Sequence, residues 1–182
     1  IIDTGGIDTI RSVLDIDLVV GIENAELVGI LNTNATGTAA NNMLSGNLGN
    51  NTLDGKGGVD ILTGGIGADS FVLSYNGDDA DADMITDFSP GEDLLIIDLG
   101  SFDVDVEALG LAGSGLASES SFVARAGAQP LDLDDHFIFD TAQGLLKFDY
   151  DGSGSLDPYD IATIYIDDQS SSLTATDLYI AI

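Results

Sequence analysis

The stretch GTAANNMLSGNLGNNTLDGKGGVDILTGGIGADSFV, residues 37–72, decides the fold. Glycine opens four blocks of nine residues, at Gly37, Gly46, Gly55 and Gly64. The fourth position is Ala40, Gly49, Gly58 and Gly67. The sixth is Asn42, Asn51, Asp60 and Asp69, and the eighth is Leu44, Leu53, Leu62 and Phe71. Agreement at all four positions in one register means that one small unit is stacked on itself. A flexible glycine-rich linker would lack the periodic Leu.

Within a block the first six positions are turn material, because glycine lets the chain curl and aim its carbonyls inward. The last three positions suit a short strand, whose large apolar eighth side chain points to a common interior. Two blocks close one coil, so equivalent side chains on one edge recur after two blocks of nine. This stacks Asn42 under Asp60 and Asn51 under Asp69. Unbroken register continues with Asp60 under Asp78 and Asp69 under Asp87. Strands stack about 4.8 Å apart, and two carboxylates at that spacing repel by about 3 kcal/mol at an effective dielectric near 20. A divalent cation between them reverses the sign. Calcium suits the place, since it takes oxygen ligands in loose geometry while magnesium demands a tight octahedron. The candidate ligands are therefore the side chains of Asn42, Asn51, Asp60, Asp69, Asp78 and Asp87, with carbonyls from Gly46, Gly55, Gly58, Gly64 and Gly67. One buried Leu per block contributes about 1.5–3 kcal/mol, short of the entropy of ordering the block. The repeats are expected to be loose without the cation.

Composition bounds the partners. The chain has 182 residues, 44% of them hydrophobic, and a formal net charge of −28 from 32 acids against Arg11, Lys56, Arg125 and Lys147. Such a charge excludes nucleic acid as a natural partner and disfavours anionic lipid. It destabilises the compact state unless counter-ions bind. There is no Cys, so calcium is expected to do what disulfides often do in extracellular proteins. No apolar run is long enough to span a bilayer. The opening IIDTGG has neither a start Met nor a signal peptide, and the chain is expected to be a fragment, monomeric as such.

The blocks resemble the nonapeptide GGxGxDxUx of RTX proteins, which are secreted bacterial proteins. The third and fourth blocks match it well, while the first two carry Asn at the acidic position. The resemblance implies a right-handed parallel β-roll with flanking strands and a β-rich C-terminal cap. Residues 1–36 alternate apolar and polar and read as two or three strands, with GGIDTI at Gly5–Ile10 as the remnant of an earlier nonad and Asp8 at its acidic position; the resemblance implies that they are irregular N-terminal rungs of the roll. The calcium-binding roll and its closing segment would span 37–99, and the cap 100–182. DMITDFSPGED, at 83–93, is similar to the closing segment of such rolls; there Asp83 and Asp87 would take the last metal positions, and LLIIDL would be a buried strand. Residues 100–125 suggest a short helix and a loop.

A second motif, DYDGSGSLDPYD at Asp149–Asp160, fits the EF-hand loop. Asp149, Asp151 and Ser153 stand at ligand positions one, three and five, and Gly154 at the sharp turn. Ser155 would offer its carbonyl at seven, with Asp157 at nine and Asp160 at twelve. The flanks GLLKF and IATIYI are strand-like, so a calcium loop between strands is expected rather than a helix pair. A hairpin turn is expected at Ala142–Gly144. The terminus SSSLTATDLYIAI resembles the uncleaved export signal of type I-secreted RTX proteins, and a terminal strand is compatible with it.

Catalytic constellations are missing from the sequence. The one His, His136, is expected to be structural; no GxSxG, HExxH or Walker-type motif occurs, and Ser114 has no second His to serve it. The expected function is a non-enzymatic calcium-binding structural and export module of a secreted or cell-surface RTX protein, an adhesin in the first instance. Several calcium ions and the type I secretion machinery are its expected partners. Two alternatives stay open: the tail of a secreted protease or lipase, and a calcium-dependent glycan-binding module.

Overall fold

A computed structural model describes residues 5–74, 82–102, 115–152, 157–166 and 172–182. Four strands precede the repeats, where two or three were expected: β1 (Thr9–Ser12), β2 (Ile16–Asp17), β3 (Asn24–Leu27) and β4 (Ala35–Thr36). The last three positions of each nonad then form β5 (Met43–Ser45), β6 (Thr52–Asp54), β7 (Ile61–Thr63) and β8 (Ser70–Leu73), the last longer by one residue. After them come β9 (Asp83–Phe88), β10 (Leu94–Asp98), β11 (Gly115–Leu116), β12 (Phe122–Arg125), β13 (Phe137–Asp140), β14 (Leu145–Phe148), β15 (Tyr159–Ile166) and β16 (Leu178–Ala181).

These strands make two sheets, ordered β1-β3-β5-β7-β9-β15-β14-β13-β12 and β11-β16-β10-β8-β6-β4-β2. From β1 to β10 the chain changes sheet at every turn, and every neighbouring pair within a sheet is parallel. That is an all-β parallel roll. Its cause is the eighth position. Leu44, Leu53, Leu62 and Phe71 are all fully buried between the sheets, and Ile16, Ala25 and Ala35 take the same register in the earlier coils. Seventh and ninth positions face outward. There hydroxyls stack across strands, as between Thr63 and Thr86, whose oxygens lie 2.7 Å apart. Asp8, by the pairing of β1 with β3 and β3 with β5, falls in the register of the sixth position.

The register expected for the closing coils needs correction. Within the repeats the Asn42 N–H meets Asp60 and the Asn51 N–H meets Asp69, both 18 residues on. The Asp60 N–H instead meets Asp83, 23 residues on, and the Asp69 N–H meets Asp93, 24 residues on. Asp78 and Asp87 are therefore not the residues stacked on Asp60 and Asp69. Extra residues between β8 and β9 delay the next coil, and the apolar pattern of β9 and β10 then sets where it resumes. Asp78 itself lies outside the described residues.

The cap is continuous with the roll. β15 adds to β9 and β16 adds to β10, both in parallel, so the last coil is built from strands far along the chain. Leu178 and Ile180 are buried in the same apolar cluster as Leu44 and Leu53. β13 and β14 form the expected hairpin, where the Gly144 N–H donates to Asp140 O at 2.8 Å and Gly144 has φ +68°. The helix expected within 100–125 falls largely outside the described residues. Those described there form two 3-10 turns, Leu99–Phe102 and Glu119–Ser121, with β11 and β12. No helix among the described residues is long and apolar enough to cross a membrane.

Candidate metal centre

Sixth-position side chains turn inward beneath the glycine turns. Asn42, Asn51, Asp60, Asp69, Asp83 and Asp93 are all buried. Such burial is tolerated because main-chain N–H groups point at the carboxylates. The Asn42 N–H donates to Asp60 Oδ1 at 2.7 Å, and the Asn51 N–H to Asp69 Oδ1 at 2.7 Å. Asp83 Oδ1 accepts from the Asp60 N–H at 3.0 Å. Asp93 accepts from the Asp69 N–H at 2.9 Å and from the Ser89 N–H at 2.8 Å. Asp87 stands to one side and clamps the turn above it, taking the Gly64 and Gly65 N–H groups on its two oxygens at 2.8 Å each.

These donors do not fully offset desolvation. Burial pushes the Asp93 carboxyl up to about 6, with Asp69 and Asp87 adding to the rise. Asp69 is also raised, first by burial and then by the charges of Asp87 and Glu92. At Asp69 and Asp93 burial and acidic neighbours thus disfavour the ionised form, which is the condition a bound cation relieves.

Backbone oxygen fills the rest of each turn. A Cβ at Gly37 would lie 2.5 Å from the Gly55 carbonyl oxygen, and one at Gly46 would collide with the Gly64 carbonyl oxygen. A Cβ at Gly55 would collide with Asp60 Oδ2, and one at Gly64 would lie 2.5 Å from Asp69 Oδ2. Only glycine leaves room there for carbonyl and carboxylate oxygens together. Among the described residues no three His, Cys, Asp or Glu side chains form a group that could hold a metal. A cation here would be held by few carboxylates together with backbone carbonyls, an all-oxygen donor set that fits calcium.

Residues 36–71 match the family of RTX calcium-binding nonapeptide repeats, in four copies. This is an RTX-type calcium-binding region. No curated protein matches the chain. The RTX repeats imply calcium binding, and the turns around Asp60 and Asp69 are where the acidic form of the repeat lies.

The second loop is a separate structure. Asp149 is fully buried, and its Oδ1 accepts the Asp151 N–H at 3.1 Å and the Gly152 N–H at 3.2 Å. His136, also buried, has Nδ1 2.8 Å from Asp149 O and lies tilted against Phe148, so it anchors the loop. Asp157 is exposed, and Asp160 Oδ1 lies 3.0 Å from Lys147 Nζ across the β14–β15 pair. Ser153 and Ser155 lie outside the described residues. The strand flanks expected for this loop are β14 and β15.

Two sets of residues were not singled out from the sequence. Asp93 was hidden because the coil that carries it breaks the nine-residue interval. The fifth-position asparagines form a ladder: Asn32 Oδ1 accepts the Asn50 N–H at 2.9 Å, Asn41 Oδ1 the Val59 N–H at 3.1 Å, and Asn50 Oδ1 the Ala68 N–H at 3.2 Å. Their common spacing of nine, Asn32–Asn41–Asn50, was the available signal.

Proposed function

We propose that this chain is a calcium-driven folding module of a secreted RTX protein. Several calcium ions are held in the turns of residues 55–93, by Asp60, Asp69, Asp83, Asp87 and Asp93 with the carbonyls of Gly55, Gly58, Gly64 and Gly67. Asp149 and Asp151 are further calcium ligands in the cap loop, completed there by oxygens other than a third carboxylate. The observation that carries this reading is the stacking of buried carboxylates, Asp60 with Asp83 and Asp69 with Asp93, inside turns that only glycine can line. Bound calcium supplies the divalent charge that lets these acids share a dry turn. The chain's own part is to place the carboxylates, close the glycine turns over them and exclude water with the apolar eighth position.

In a cell low in calcium the acidic coils stay open and the chain can be threaded by a type I machinery. Outside, millimolar calcium fills weak sites of the extracellular kind, and binding drives folding because the metal favours the folded form. The protein is a secreted or surface-attached one, an adhesin in our reading. Its net charge of −28 keeps the module monomeric. It performs no catalysis, and its single His serves the cap. Calcium titration by calorimetry, with far-ultraviolet dichroism followed in parallel, tests this. Uptake of several ions with a gain of β signal is expected; the same dichroism in calcium and in EGTA would refute it.

A further inference from the structure

The four nonads fold into two kinds of turn. In the two asparagine nonads, residues 37–54, no residue has positive φ. The sixth side chain closes its own turn: Asn42 Oδ1 accepts the Thr38 N–H, and Asn51 Oδ1 the Asn47 N–H, each at 2.7 Å. The other half of the same amide reaches back one coil. Asn42 Nδ2 donates to Glu23 O at 3.1 Å, Asn51 Nδ2 to Thr33 O at 2.6 Å, and the neighbouring Asn47 Nδ2 to Leu31 O at 3.1 Å.

In the two aspartate nonads, residues 55–72, the second and fourth positions are left-handed: Lys56 φ +71° and Gly58 φ +92°, then Gly65 φ +97° and Gly67 φ +132°. The second-position N–H groups are directed elsewhere, Lys56 to Asp54 at 3.0 Å and Gly65 to Asp87 at 2.8 Å. The oxygen that faces the previous coil, Oδ1 of Asp60 or Asp69, accepts an N–H where the asparagine donates to a carbonyl. An amide NH₂ can bridge carbonyl oxygens of the preceding coil; a carboxylate can do so only through a cation.

We infer that the roll is divided. Asn42, Asn47 and Asn51 staple the coils of residues 22–54 without metal, their amides standing where calcium would bridge oxygens, and only the coils from Gly55 to Asp98 require calcium. Asn42, Asn51 and Gly46 then drop out of the ligand set. The inference rests on the calcium reading above, and names which coils it governs. Export would leave a short, metal-independent seed on which the acidic coils assemble once calcium is met.

Hydrogen exchange of the whole chain, followed by mass spectrometry in calcium and in EGTA, tests it. Peptides covering β7–β10 should exchange about 100-fold faster in EGTA, while peptides covering β5 and β6 change by less than about 3-fold. Equal acceleration of both groups would overturn the division and leave the calcium reading intact. No acceleration anywhere would overturn both. Asn51→Asp supplies an independent readout. It should make β6 calcium-dependent, its exchange in EGTA rising by about 10-fold or more and falling again with calcium. Unchanged exchange of β6 in that variant would also overturn the inference.

Discussion

Nonads 37–54 and 55–72 share a length, a register and a buried eighth residue, yet they hold themselves together differently. In the first pair a neutral amide both accepts and donates, and the backbone stays in ordinary conformations. In the second pair a carboxylate can only accept, and left-handed residues turn the peptide groups of the loop. The comparison teaches that one nonapeptide scaffold can be closed by its own hydrogen bonds or by an ion, and that a single Asn-to-Asp difference goes with the choice.

Core truncation should break the comparison most strongly. Leu44 and Leu62 occupy the same position in one sheet, paired directly, and both are fully buried. In calcium, Leu44→Ala and Leu62→Ala should each cost about 2–5 kcal/mol in denaturant unfolding. In EGTA the two should part: exchange protection of β5 still responds to Leu44→Ala, while Leu62→Ala has little left to remove. Equal responses in EGTA would show that both regions melt together.

The fourth position sharpens the contrast at lower energy. It is Ala40 in an asparagine nonad and Gly58 in an aspartate nonad, the latter at φ +92°. A Cβ at Gly58 would also lie 2.8 Å from the Ala40 carbonyl carbon. Gly58→Ala is therefore expected to cost about 1–3 kcal/mol, from backbone strain and the close approach together. Ala40→Gly should cost about 0.4–1 kcal/mol, through unfolded-state entropy alone. Urea midpoints of both variants in calcium check the ratio.

Much of this was legible in the residues. The nine-residue interval located β5 to β8, the interior leucines and the pairing of Asn42 with Asp60, because each depends on local spacing that nothing interrupts. Asp93 was not legible, since extra residues before β9 shift its coil, and spacing says nothing across an insertion. The pairing of β10 with β16 was equally hidden: two short apolar strands distant in sequence carry no mutual signal. The second loop showed an EF-hand-like spacing, but not that Asp160 sits beside Lys147 in a strand pair. The division between the two kinds of nonad was half visible. Asn and Asp are plain in the sequence, whereas the direction of the amide depends on which carbonyls the previous coil presents.

Acidity should separate the regions more gently. Asp93 is held at about 6 in the fold against an ordinary 3.8, and Asp69 is raised in the same direction. Between those pH values the folded chain binds more protons than the unfolded one, so metal-free stability rises as pH falls from above 6 toward 4. Asp140 is lowered by the N–H groups of Gly127 and Ala142, so its contribution is lost only below the ordinary carboxylate range and does not interfere. In EGTA, β8 and β10 should be better protected at pH 5 than at pH 7, while β5 and β6 stay unchanged. Protection of β10 that falls on acidification would contradict the assignment. Measured in calcium, the trend should reverse, because protons and the cation compete for the same carboxylates.

The smallest effect lies at the boundary between the two kinds of turn. Lys56 is the one non-glycine residue with positive φ among the described residues, and its ammonium lies 2.6 Å from Asp54. Lys56→Ala and Lys56→Gly both remove that ion pair, so its worth cancels between them. Glycine relieves a left-handed strain of about 1–2 kcal/mol and gives back about 0.4–1 kcal/mol through the freedom of its unfolded chain. Lys56→Gly should therefore be more stable than Lys56→Ala by about 0.5–1 kcal/mol in calcium. In EGTA, where the turn that imposes the left-handed backbone opens, the strain disappears and the order of the two variants should vanish or invert. A glycine advantage that survives chelation would mean that the turn holds its shape unaided, and the line between amide-closed and ion-closed coils would then have to move beyond Lys56.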